Sequence, residues 1–96
     1  MIVGVCKIKL RIPENMSLKG KRGVLKSIVS QLMNKFNVAV AEVDDHQLWQ
    51  VATIGVCSIG NDSRHTTEMF AKLMNFITAG RFEVEILDYE TEFIPC

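Results

Sequence analysis

The sequence predicts a two-layer α+β domain ordered βαββαβ, and three observations carry that prediction. Two stretches place apolar residues at helical spacing on one face only, four other runs are short and rich in strand-forming residues, and 96 residues leave room for a single core. A helix with one apolar stripe must bury it, and a sheet made of the four strands is the surface available. The whole span 1–96 is therefore read as one domain.

The first strand is Ile2 to Ile12, where Cys6, Ile8, Leu10 and Ile12 alternate with Val5, Lys7, Lys9 and Arg11. One side is core and the other is wet and basic. Pro13-Glu-Asn15 ends it, because proline donates no ladder hydrogen bond and pre-sets a turn. Ser17 then caps an amphipathic helix running to Phe36, with Leu18, Leu25, Ile28, Val29, Leu32, Met33 and Phe36 on its apolar side. Lys19, Lys21 and Arg22 crowd its first turn, where the macrodipole is already positive. Lys21 and Arg22 fall on the same stripe as Leu18 and Leu25, a local rule broken twice in succession, and such breaks mark functional places.

Val38 to Val43 is a β-branched run that reads as the second strand, Asp44 to Leu48 a turn, and Trp49 to Ile59 the third strand, paired antiparallel with the second. On that phase Ala52, Ile54 and Val56 face the helices, and Trp49, Val51, Thr53, Gly55 and Cys57 face away. Gly60-Asn-Asp-Ser63 breaks the strand and caps a second helix to about Ala79. Its stripe is Met69, Phe70, Leu73, Phe76 and Ile77, with Gly80 as its stop. Phe82 to Tyr89 alternates and supplies the fourth strand before a short tail.

Right-handed crossovers make this order a ferredoxin-like plait, a mostly antiparallel four-stranded sheet in the order 4-1-3-2 with both helices on one face. Leu25, Ile28, Leu32, Leu73 and Ile77 are the expected core of the helical layer. Val5, Lys7, Lys9, Arg11, Thr53 and Cys57 are left on an open sheet face.

Composition excludes several classes. No apolar run approaches the ~18 residues that span a bilayer, and no cleavage pattern follows the apolar start, so a cytoplasmic protein without a membrane partner is expected. Cys6, Cys57 and Cys96 are odd in number and lack ligand spacing, which argues against a metal and against a disulfide framework. Cys6 and Cys57 are expected as small buried hydrophobes. Formal net charge is zero, yet residues 1–36 carry eight Lys/Arg against Glu14 alone, and residues 37–96 carry three against ten acids. Separate basic and acidic surfaces, or charges that interleave on folding, are both compatible with that split.

The segments Met1-Ile-Val-Gly-Val5, Ser17-Leu-Lys-Gly-Lys-Arg22, Phe36-Asn-Val38, Ala41-Glu-Val43, Leu48-Trp-Gln50 and Asn61-Asp62 together resemble the YlxP-like family of small bacterial proteins. The resemblance covers essentially the whole chain. It implies a ferredoxin-like fold, a function not known, and genes often placed near those of transcription and translation factors. No catalytic residues come with it.

The residues themselves show no nucleophile beside a base and no convergent acid–base pair, so no enzyme and no cofactor are expected. Glu42, Asp44, Asp45 and His46 match no metal-binding loop and read as a solvated turn. The expected function is non-enzymatic binding of structured RNA or a ribosomal surface, not DNA. Lys19, Lys21, Arg22 and Lys26 would contact phosphates, with support from Lys7, Lys9 and Arg11. Trp49 is the candidate for base stacking or an interface. The alternative is a homodimer or small-ligand module paired through its open sheet face or sheet edges.

Overall fold

The computed structural model describes residues 1–96. Its elements are β1 (Ile2–Arg11), α1 (Leu18–Lys35), β2 (Ala39–Asp44), β3 (Val51–Gly60), α2 (Ser63–Thr78) and β4 (Glu85–Pro95). The sheet runs β2-β3-β1-β4 with every neighbouring pair antiparallel, which is the predicted 4-1-3-2 plait counted from the other edge.

Alternation along β1 decides the layering. Cys6, Ile8 and Leu10 face the helices and are fully buried, as are Ala52 and Ile54 on β3, whose partners in the ladder they are or adjoin. Leu25, Ile28 and Leu32 of α1 and Phe70, Leu73 and Ile77 of α2 close over them, so the predicted helical core is the observed one. Phe36, Phe76 and Phe82 meet edge-on at 5.9 and 6.0 Å and seal the end of the core near the α1 C-terminus. At Gly4 the layers nearly touch: a Cβ there would stand 2.5 Å from Thr66 Cγ2, so α2 rests directly on the β1 backbone.

Both helices start where their caps predict. The Ser17 hydroxyl accepts from the Gly20 N–H at 3.0 Å, and the Asp62 carboxylate accepts from the His65 N–H at 2.7 Å. Gly80, one residue past the Ala79 cap, takes φ +85°, the left-handed stop that a glycine adopts without strain.

Four expectations are corrected. The buried arc of α1 is Lys21, Leu25, Ile28 and Leu32, so Lys21 lies inside it while Met33, read as apolar-face, is 50% exposed. At 100° per residue this arc centres on Lys21 and Leu32 rather than on Leu18 and Leu25, which turns Arg22 and Met33 outward. β4 begins three residues later than expected and continues through the presumed tail to Pro95, because β1 offers a ladder as far as Ile2↔Pro95. A bulge at Leu87, between the Lys9↔Asp88 and Leu10↔Ile86 pairs, shifts the side-chain parity that the local alternation implied. Trp49 precedes β3 instead of starting it. Cys57 is exposed on the open face, whereas Cys6 is buried as expected.

All three cysteines are free. Reductant should therefore leave the melting temperature unchanged, and a clear drop would reveal a bond that this fold does not contain. Burial pushes the Cys6 thiol from 9.0 up to about 11. Its folded pKa is raised, so its contribution to stability is intact below pH 9 and is lost as pH climbs through 11.

Candidate nucleic-acid interface

The basic residues of the first third of the chain separate into three groups once folded. Lys7, Lys9 and Arg11 point from β1 to the open sheet face, where their β4 neighbours are Glu90, Asp88 and Glu85. Lys7 Nζ lies 3.9 Å from Glu90 and Arg11 3.4 Å from Glu85, so the two charge lobes interleave and the sheet offers no basic face. These cations do not join the helix set predicted to be their partner.

Lys21 is withdrawn altogether. It is 2% exposed, and its ammonium donates to the Asp45 carbonyl at 2.6 Å and sits 3.0 Å from Glu42 Oε2. Glu42 Oε2 is buried without a hydrogen bond, so the Lys21 charge is its sole compensation. The role predicted for Lys21, a phosphate contact, is thereby corrected to that of an internal tie between α1 and the β2–β3 turn. Asp45 takes φ 62° in that turn, and its carboxylate accepts from the Thr53 hydroxyl at 2.6 Å, which helps to bury Thr53 on a face read as open.

What remains on α1 is Lys19, Arg22 and Lys26, all exposed and none in an ion pair. Their i, i+3, i+7 spacing confines them to about 60° of the helix surface, one continuous basic stripe. Arg22 and Lys26 border a shallow groove of about 430 Å³ between α1 and edge strand β2, floored by Leu25, Val29 and Val40. The cations elsewhere are engaged or dispersed: Lys35 and Arg81 lie over the Phe76 ring, and Arg64 pairs with Glu68.

The Gly20 amide of the first turn is already engaged within the chain. The Ser17 hydroxyl takes the Gly20 N–H and the Asn15 side chain lies against Gly20. Asn15 Nδ2 also donates to the Ser17 carbonyl at 2.8 Å and to the Trp49 carbonyl. Gln50 returns a bond to the Asn15 carbonyl at 3.1 Å, and Ile12 N–H bonds the Gln50 carbonyl at 2.7 Å. The turn after β1, the head of α1 and the β2–β3 turn are stitched into one end of the molecule. Trp49 belongs to that end with its side chain 51% exposed, a position set by Asn15 that strand periodicity alone misplaced.

No aromatic side chain stands on the open face of the two central strands, where Val5, Lys7, Lys9, Gly55 and Cys57 are presented. No three His, Cys, Asp or Glu side chains converge in a way that holds a metal ion, and no helix is long and apolar enough to cross a membrane.

The family model described as a protein of unknown function, DUF503, matches residues 3–91. The chain belongs to this family. It is also 30% identical over 76 residues to the uncharacterized protein YlxP of Bacillus subtilis (strain 168), a match covering 79% of this chain and 83% of that protein. Within the DUF503 match lie both helices, the Lys21–Glu42 tie and the Lys19, Arg22 and Lys26 stripe.

Proposed function

We propose that this DUF503 protein is a non-enzymatic binder of structured RNA, free or on a ribosomal surface, and that α1 makes the contact. The observation that carries this reading is the stripe of Lys19, Arg22 and Lys26, three exposed cations on one arc with no acidic partner. A row of uncompensated cations along a rigid helix matches a phosphate backbone and carries no base code, so recognition is by charge and shape. Trp49 at the same end supplies one stacking surface for an unpaired base. The absence of aromatic side chains from the open face argues against the stacking platform of RNA-recognition sheets.

Replacing Lys19, Arg22 and Lys26 together with Gln should weaken binding to RNA hairpins of unrelated sequence alike. The slope of log affinity against log salt should fall by ~0.7 to 0.9 for each contact removed. Titration read by the single tryptophan's fluorescence and by anisotropy of labelled RNA measures both quantities. Unchanged affinity and slope in a variant with a native melting temperature would end the phosphate-contact reading.

A further inference from the structure

We propose that the open sheet face is an interface between two copies of this chain, packed face to face with β3 along the two-fold axis. The face is apolar in its middle. Val5, Cys57 and Ala39 are level with one another across β1, β3 and β2, and Val43 lies over Gly55 at 3.0 Å from where a Cβ would be. Ile59 is 66% and Val43 50% exposed, a contiguous apolar area that a monomer leaves in water.

A two-fold contact needs a self-complementary patch, and that requirement selects the axis. An axis along β1 would stack Lys7 and Lys9 on their own copies. An axis between β1 and β4 would leave the apolar area uncovered. With the axis along β3, each β1 lies over the other copy's β2, so Val5 meets Ala39 of the partner subunit and Ile59 and Cys57 meet their own counterparts. The register then brings Lys9, level with Thr53, over the partner subunit's Asp44, which pairs with Thr53 in the same register. Lys9 is the β1 cation without an ion pair, its β4 neighbour Asp88 lying beyond ion-pair distance, and it also offsets the Asp45 carboxylates, held on Thr53, that this axis draws together. With the axis along β3 the strands that overlap are β2, β3 and β1, roughly 25 by 14 Å or roughly 350 Å² per copy, the size of a weak, concentration-dependent contact.

This inference goes beyond the RNA reading and fails separately from it, because α1 lies on the opposite side of the sheet. Sedimentation of the native protein over a range of concentrations should show a reversible monomer–dimer equilibrium. Ile59→Glu should raise the dimer dissociation constant at least tenfold with the melting transition retained. Lys9→Asp should also weaken the dimer, and Lys9→Asp with Asp44→Lys should restore it. In a Cys96→Ser background Cys57 is the accessible thiol, and a short bifunctional maleimide should link two chains through it. A strictly monomeric native protein, or a dimer indifferent to Ile59→Glu and to the charge exchange, would overturn the proposal.

Discussion

Lys21→Met is expected to lower stability by about 3 kcal/mol, although the replacement is of similar length and more apolar. Removing one partner of a buried ion pair costs roughly 3 to 5 kcal/mol, and Glu42, a quarter exposed, places this pair at the low end. The methionine would leave Glu42 Oε2 buried with neither hydrogen bond nor counter-charge, and would strip the Asp45 carbonyl of its donor. In a domain of this size that loss corresponds to a fall in melting temperature of roughly 12 to 20 °C. Adding Glu42→Leu to Lys21→Met should recover a large part of it, since the stranded carboxylate goes with its partner. Lys19→Gln, two residues away but exposed and unpaired, should change the transition by ~0.5 kcal/mol or less. If thermal melts of Lys21→Met and Lys19→Gln coincided, the internal tie would be refuted.

Leu32→Ala should cost ~2 to 5 kcal/mol. Its side chain is fully buried in the core between the helices and the sheet, so truncation loses the transfer energy of three carbons and opens a cavity that rigid neighbours fill only in part. Met33→Ala, the adjacent position on a half-exposed arc, should change stability by ~0.5 kcal/mol or less. Chemical denaturation of the two variants measures the rotational phase of α1 directly. Similar losses at both positions would mean the helix is rotated from the arrangement described.

The parts of the fold that follow from local chemistry were readable from residues alone. Ser17 and Asp62 announce helix starts, Gly80 a stop, and the Cys6-Ile8-Leu10 alternation the inner face of β1. What escaped was set by partners distant in sequence. Lys21 was legible as a cation on an apolar stripe, but Glu42 and Asp45, which explain it, lie on β2 and the turn beyond. The acidic second half was legible as a lobe, but only the β1–β4 ladder decides that Glu90 and Glu85 fall beside Lys7 and Arg11. β4 runs past Tyr89 because one extra residue at Leu87 resets the alternation, and the sequence carries that signal as a change of phase from Val84 and Ile86 to Tyr89, Thr91 and Phe93. Of the predicted contact set, Lys19, Arg22 and Lys26 remain together on the surface because they share one helix, whose periodicity is itself local.

The bonds among Asn15, Trp49, Gln50 and Ile12, with Lys21 reaching the Asp45 carbonyl, bear on how this end of the molecule can meet another. Loops that are free in solution must be ordered on association, and each immobilised side chain or backbone segment subtracts from affinity. Here two turns and a helix start are already held in a single arrangement by bonds internal to the chain. Docking against Trp49 and the neighbouring helix would therefore lose little chain entropy, and its rate would be governed by encounter and orientation more than by rearrangement.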